Sequence, residues 1–370
     1  MGEWKKTTLG DFISLRRGHD LPERNRRPGT VPVVGSGGIV GWHDTSVVPG
    51  PGITIGRAAN LGVPTLIEQD FWPLNTTLYV TDFHGNDIRF TFYLLRTLDL
   101  TGFNSGSVQP MLNRNYIRNF PLLVPDPSEQ RAIAAVLGAL DDKIAVNERI
   151  TDSCDKLAES LLDQLLAEDT EVKEIPLGEI AKINPRTVKP VAGGYLRYID
   201  ISCVSAGRIE WPKRLPWDKA PGRARRGVSP GDTIWSTVRP GRRSYALILD
   251  KDPEIVVSTG FVVLTPVKVG PAFLYEIVKR DAFVRYLENV AEGSAYPAVR
   301  PERFASATIP LPSVHTLQRF EDAVMPLRCR AHAADQESRT LAQLRDTLLP
   351  KLMSGELRVR DAEKAVEEAL

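Results

Sequence analysis

Ten basic side chains fall between Gly207 and Arg243: Arg208, Lys213, Arg214, Lys219, Arg223, Arg225, Arg226, Arg239, Arg242 and Arg243. Only three acids, Glu210, Asp218 and Asp232, share that stretch. Trp211, Trp217 and Trp235 are interleaved with them. Guanidinium groups make bidentate contacts to phosphates and guanine edges better than ammonium groups do, so an arginine-dominated segment suits nucleic acid. A sparser counterpart, Arg16, Arg17, Arg24, Arg26, Arg27 and Arg57, lies near the N-terminus, whereas residues 151–174 carry eight acids against two lysines. One charge run alone is by default a solvated face. Two basic regions on one chain, kept apart by a stiff element, point instead to a duplex.

Polar residues in glycine-rich loops are of the right types to read base edges. These are Asn104, Ser105, Ser107, Gln109, Asn113 and Arg114 in the first region, and Ser294, Tyr296 and Arg300 in the second. Each, taken alone, is better explained as a turn or packing residue. Asn60, Asn75, Thr76 and Tyr245 complete the candidate set, and Arg57 and Arg239, just after matching strands, are candidate equivalent contacts.

Catalytic constellations are missing from the sequence. The five histidines form no His-Glu-x-x-His and have no cysteine at zinc spacing, and neither a Gly-x-Ser-x-Gly elbow nor a phosphate loop occurs. Gly35-Ser36-Gly37-Gly38-Ile39-Val40-Gly41 has the wrong spacing for a nucleotide loop and reads as a tight turn. Asn184-Pro185-Arg186 lacks the second proline and the aromatic residue of an amino-methyltransferase motif. A non-catalytic chain without its own metal or cofactor is expected.

Lysine plus arginine (47) nearly cancels aspartate plus glutamate (46), so any binding surface must come from arrangement rather than surplus. Three scattered cysteines, Cys154, Cys203 and Cys329, make no disulfide framework, which suits a reducing cytoplasm. No run approaches the roughly 18 to 20 apolar residues that span a bilayer. A length of 370 residues allows two or three folding units.

The chain is written twice. Trp4–Phe12 reappears as Val172–Ile180, Pro49–Ile55 as Val228–Ile234, and Gly106-Ser107-Val108-Gln109-Pro110 as Gly293-Ser294-Ala295-Tyr296-Pro297. Each copy ends in a proline-punctuated extended segment, Pro121-Leu122-Leu123-Val124-Pro125 or Ile309-Pro310-Leu311-Pro312, before a long stretch of helix formers.

In the first stretch Ser128 is the expected N-cap, and apolar residues recur at Ile133, Leu137, Leu140, Ile144, Ile150, Cys154, Leu157, Leu161 and Leu165. The second repeats this spacing with Leu317, Phe320, Val324, Leu327, Ala331, Ala334, Leu341, Leu344, Leu348 and Leu352. Steps of three and four residues predict two coiled-coil helices, each needing the other's stripe as cover. Asn147 sits on the seam, either fixing register or simply exposed. Pro326 should kink the second helix or delay its start, and Gly355 suits its C-terminal cap.

The predicted fold is α+β, with two mixed α/β domains separated by two long helices that pair as an antiparallel coiled coil. The expected boundaries are 1–125 and 172–312 for the domains, 126–171 and 313–358 for the helices, and 359–370 for an acidic tail.

The chain resembles the specificity subunit of type I restriction-modification systems. The likeness is carried by Gly37-Gly38-Ile39-Val40-Gly41-Trp42, Gly50-Pro51-Gly52-Ile53-Thr54-Ile55-Gly56-Arg57 and Phe71-Trp72-Pro73-Leu74-Asn75-Thr76-Thr77-Leu78. To these are added Glu129-Gln130-Arg131-Ala132-Ile133 and the run Leu348–Leu357. In the second copy Trp235-Ser236-Thr237-Val238-Arg239 departs from the glycine–arginine segment, and Val314-His315-Thr316-Leu317-Gln318 replaces the usual acidic helix start.

The resemblance implies that each compact region is a target recognition domain reading one half of a split, asymmetric double-stranded DNA sequence. It further implies that the helices act as a ruler and dock two adenine-N6 methyltransferase (M) subunits, which restriction (R) subunits join. S-adenosylmethionine, Mg²⁺ and ATP would belong to those partners. Two alternatives stay open: the same DNA-reading module in another phage-defence assembly, and a coiled-coil scaffold that binds only protein.

Overall fold

The computed structural model describes residues 4–103, 111–293 and 296–369. The chain divides into two compact units, residues 1–146 with 337–370, and residues 147–336.

The first unit opens with β1 (Lys5–Thr8), α1 (Leu9–Phe12), β2 (Ser14–Arg17), β3 (Val31–Gly35), β4 (Gly38–His43), β5 (Gly52–Gly56) and β6 (Pro64–Ile67). It continues through β7 (Trp72–Pro73), β8 (Thr77–Asp82), α2 (Ile88–Thr97), α3 (Arg114–Ile117) and β9 (Pro121–Val124) into the long helix α4 (Pro127–Glu168). A four-stranded sheet runs in the order β2-β8-β5-β6, and a smaller one β4-β3-β7. Strand β5 is buried on both faces, as its Ile-Thr-Ile core of β-branched residues allows. Ile53 and Ile55 meet Phe90, Tyr93, Leu94 and Leu95 of α2, while Val34, Ile67, Phe71 and Tyr79 form a second cluster.

The second unit begins with β10 (Lys173–Pro176), β11 (Ala181–Ile183), β12 (Tyr195–Ile199), β13 (Val204–Ser205), β14 (Arg208–Ile209), β15 (Arg214–Pro216) and β16 (Ala224–Gly227). Next come β17 (Thr233–Ser236), β18 (Tyr245–Leu247), β19 (Ile255–Ser258), β20 (Phe261–Pro266), α5 (Pro271–Val278), α6 (Asp281–Val290), α7 (Pro301–Ala305) and β21 (Thr308–Leu311). The chain ends in the long helix α8 (Val314–Met353) and α9 (Val359–Glu367). The sheet order β11-β20-β17-β18 repeats that of the first unit strand for strand, and a second sheet, β15-β12-β19-β16, is built around a parallel β12–β19 pair.

The repetition extends to single hydrogen bonds. Leu9 N–H donates to the Phe120 carbonyl (2.9 Å), as Leu177 N–H does to Ala307 (2.8 Å). Leu112 N–H donates to Arg57 (2.8 Å), as Val299 N–H does to Thr237 (2.8 Å). The ribbons β1·β9 and β10·β21 close each copy.

Within each unit α4 and α8 pack in opposite directions. In the first, Ile133, Leu137 and Leu140 share a core with Leu341, Leu348 and Leu352, while Arg345 pairs with Asp141 (2.6 Å) and Glu337 with Lys143 (3.3 Å). In the second, Ala158 and Leu162 share a core with Leu317, Phe320 and Val324, Arg328 pairs with Asp155, and the Ser313 hydroxyl donates to Asp169 (2.9 Å). Partner numbers rise on one helix as they fall on the other. Ile144 is partly buried against the first core, and Asn147, 1 % exposed, sits inside rather than on the surface.

Three expectations are corrected, and of the two outcomes given for Pro326 only the late start is excluded. The cap of α4 is Asp126, whose Oδ1 accepts from Ser128 N–H (2.8 Å) and Glu129 N–H (3.2 Å), because Pro127 occupies the first helical position. Leu157 is 48 % exposed and lies off the seam, and Leu161 and Leu327 are only partly buried. The buried row is Cys154, Ala158 and Leu162, the α-helix having drifted relative to a strict heptad. Helix α8 passes through Pro326 without starting late. Residues 359–367 are not a tail but a helix whose Ala362 and Val366 are buried in the first core. Gly355, at φ +74°, caps α8 as expected.

Candidate nucleic-acid interface

In the first unit, Arg16 and Arg17 project exposed from β2. Arg57 follows β5, and its Nη1 donates to the Asn75 carbonyl (3.4 Å). The Asn75 side chain in turn donates to Asp20. Partial burial and the like charge of Arg17 both push the Arg57 guanidinium below its usual value, which brings the two arginines into one field. Exposed Asn60 lies against the β3–β4 turn, where a Cβ on Gly37 would stand 2.7 Å from its Nδ2. A side chain there would push the exposed Asn60 amide aside. The structure thus gathers Arg17, Arg57, Asn60 and Asn75 at the end of the sheet.

Other candidates in this unit hold the frame. The Thr76 carbonyl accepts from Arg57 and Ala58 N–H groups (2.9 and 3.3 Å). Asn113 caps α3 by accepting from Asn115 N–H (3.0 Å), and exposed Arg114 reaches the Leu15 carbonyl (3.5 Å). Arg24 is exposed on a short helical turn. Asn104, Ser105, Ser107, Gln109 and, in the second unit, Ser294 lie outside the described residues.

Sequence reasoning passed over the edge strand β4, where Ile39, Val40 and Trp42 are each about half exposed and the Arg26 Nη1 holds the Val40 carbonyl (3.1 Å). The broken alternation of Gly-Ile-Val-Gly-Trp was the available signal.

In the second unit Arg223 is exposed, and Arg225 and Arg226 are half-buried along the edge strand β16, with Arg225 Nη1 donating to the Ala224 carbonyl (2.8 Å). Arg242 is exposed. Arg243 pairs with Asp281 and holds that carboxyl below the usual carboxylate range, and Arg300 pairs with Glu292 (3.0 Å). Asp232, counted above among the acids of the basic stretch, is internal, bound by Arg186 and by Thr265 Oγ1 (2.6 Å).

Two candidates change character. Tyr245 is 7 % exposed and packs on Trp235 with ring centres 5.4 Å apart, so it is a core residue whose hydroxyl burial pushes up to about 12. The pairing of Arg57 with Arg239 fails as well. Because Leu112 bonds to Arg57 where Val299 bonds to Thr237, and the bridge Ala58–Met111 matches Val238–Ala298, the counterpart of Arg57 is Thr237 and that of Arg239 is Ala59. Both Ala59 (φ +62°) and Arg239 (φ +49°) are left-handed, which the aligned strands demand and residue type alone does not reveal.

The profile of the family described as Type I restriction modification DNA specificity domain matches residues 1–154. Over those residues the chain is similar to the DNA specificity domain of type I restriction-modification systems. Over 132 residues it is 28 % identical to the HindI specificity subunit of Haemophilus influenzae, covering 35 % of this chain and 29 % of that one. Over 170 residues it is 27 % identical to the EcoprrI specificity subunit of Escherichia coli, covering 44 % of this chain and 42 % of that one. The match therefore spans less than half the length of either specificity subunit. The fold is similar to the crystal structure of a type I restriction-modification S subunit from M. genitalium, with a TM-score of 0.65 at 18 % identity over 95 % of this chain and 96 % of that one. No helix among the described residues is long and apolar enough to cross a membrane.

Proposed function

We propose that this chain is the sequence-specific double-stranded DNA-binding subunit of a type I restriction-modification complex, each unit reading one half of a bipartite asymmetric target. The observation that carries this reading is a single backbone frame built twice with different side chains in equivalent slots: Arg57 against Thr237, Ala59 against Arg239, Asn113 against Arg300. Matching four-stranded frames keep the approach to the groove similar, and unlike side chains make the two halves of the target unlike.

The chain itself is non-catalytic. The long helices set the spacing of the half-sites and dock two methyltransferase subunits, which restriction subunits join. S-adenosylmethionine, Mg²⁺ and ATP bind to those partners, in the cytoplasm. Two readers on a stiff spacer add their free energies when half-sites lie at the matching separation, about 34 Å for one helical turn.

Mapping methylated adenines across the host genome, with and without this gene, tests the reading. A split motif that vanishes with the gene is expected, and an unchanged methylation pattern overturns it. Lengthening both helices by the same few residues should change the gap within that motif, and an unaltered gap removes the ruler. Affinity of the purified chain for duplex DNA should fall steeply with salt, whereas a protein-only scaffold would bind weakly at any salt.

A further inference from the structure

Arg239 differs from its neighbours in how it is held. Its backbone occupies the left-handed region at φ +49° and ψ +64°, which side-chain-bearing residues adopt at a cost and which clusters at functional sites. The strain is locked by a short bond from Arg239 N–H to the Pro297 carbonyl (2.7 Å). The guanidinium lies 4.5 Å from the centre of the Tyr296 ring, and that ring is 70 % exposed.

Arg243 is also left-handed, at φ +55°, but its charge is spent on Asp281. Among the described residues no carboxylate forms an ion pair with Arg239. A guanidinium stacked on a ring engages its flat face and leaves its N–H edge free, which is the edge that pairs with guanine O6 and N7. Stacking also removes rotamer freedom before any ligand arrives, so little ordering is left to pay on contact. The equivalent slot in the first unit holds Ala59, which has no hydrogen-bonding group to offer a guanine.

We propose that Arg239, oriented by Tyr296, reads a guanine in the half-site bound by the second unit, and that the first unit makes no such contact from the matching position. This rests on the DNA-reading function proposed above. Arg239 is a base-reading residue and Tyr296 a positioning residue.

The test uses the full-length chain with a pool of randomised duplexes, sequencing what is retained. Arg239→Ala keeps the backbone, because alanine is what the first unit carries in the same slot. It should lower the preference for guanine at one position roughly ten- to hundred-fold and leave the rest of the motif intact. Arg239→Lys should keep the salt dependence yet lose the guanine preference, since an ammonium cannot pair bidentately. Tyr296→Phe should retain the preference, and Tyr296→Ala should weaken it at the same position only. An unchanged motif in Arg239→Ala, or a uniform loss of affinity across all sequences as for a phosphate contact, overturns the assignment. A wild-type chain that enriches no motif overturns the DNA-reading function, and this assignment with it.

Discussion

In each unit a polar knot joins the helix pair to a shorter helix packed beside it, and the two knots are made differently. Counted from the first residue of each helix, Tyr93 of α2 and Glu276 of α5 hold the same place. In the first unit the Tyr93 hydroxyl donates to Asp141 (2.6 Å), which also receives a half-buried Arg345 (2.6 Å). In the second unit a fully buried Glu276 receives Arg328, itself 5 % exposed, and Lys279 (2.7 Å), while Arg328 reaches on to Asp155 and lies 4.9 Å over the Tyr275 ring. A neutral phenol shares one carboxylate in the first case; a closed set of charges is buried in the second. Removing one member of a buried ion set strands the others, whereas water can take the place of the partly exposed Arg345.

The largest effect should therefore come from Arg328→Leu, which leaves Glu276 underpaired and costs about 3–5 kcal/mol, against about 1–2 kcal/mol for Arg345→Leu. Urea unfolding of the full chain, with hydrogen exchange to locate the loss, checks this; equal losses would erase the distinction between the knots.

The helix seams come next. Leu137→Ala in the first unit and Leu162→Ala in the second should each cost about 3 kcal/mol, while Leu157→Ala, on an exposed side chain, should stay within about 0.5 kcal/mol. A full penalty at Leu157 would restore the heptad reading of the seam.

Burial raises the Glu276 carboxyl above its ordinary value of 4.5, despite Arg328 and Lys279. The folded state then keeps this proton at pH values where the unfolded chain has lost it, so the contribution of this group to stability falls as pH rises upward from about 4.5. Glu276→Gln should flatten that part of the stability profile, by about 1.4 kcal/mol for each unit of elevation. The same profile in both proteins would mean that the charge set does not titrate.

The smallest effect belongs to the left-handed slots. Ala59→Gly relieves the backbone at φ +62° but loosens the unfolded chain, for a net gain of about 0.5 kcal/mol, read as a slightly higher Tm.

Much of this architecture is legible in the residues. The repeated Leu-Gly and Thr-Ile segments match β1 with β10 and, to within one residue, β5 with β17, and the three- and four-residue apolar steps give both long helices. What stays hidden depends on contacts between distant positions. Ala158 carries too little apolar surface to advertise a seam, and Trp235 covers Tyr245 from the adjacent strand. The arginines of the basic stretch look alike in sequence, yet Arg214 and Arg243 are taken by Glu254 and Asp281 while Arg239 is left with an aromatic ring. The second sheet rests on a parallel pair, Arg197–Ile199 with Ile255–Val257, whose partners are separated by more than fifty residues of intervening chain.

The ribbons that close each copy have a further consequence. Lys5 faces Val124 and Thr8 faces Pro121, just as Lys173 faces Leu311 and Pro176 faces Thr308. The chain thus enters and leaves each mixed α/β domain through a gateway one strand spacing wide, about 5 Å. Everything between those gateposts can be exchanged as a cassette, since a newcomer of any length need only bring its two ends to the same gap. A replacement domain can then be grafted in while the two long helices are left untouched.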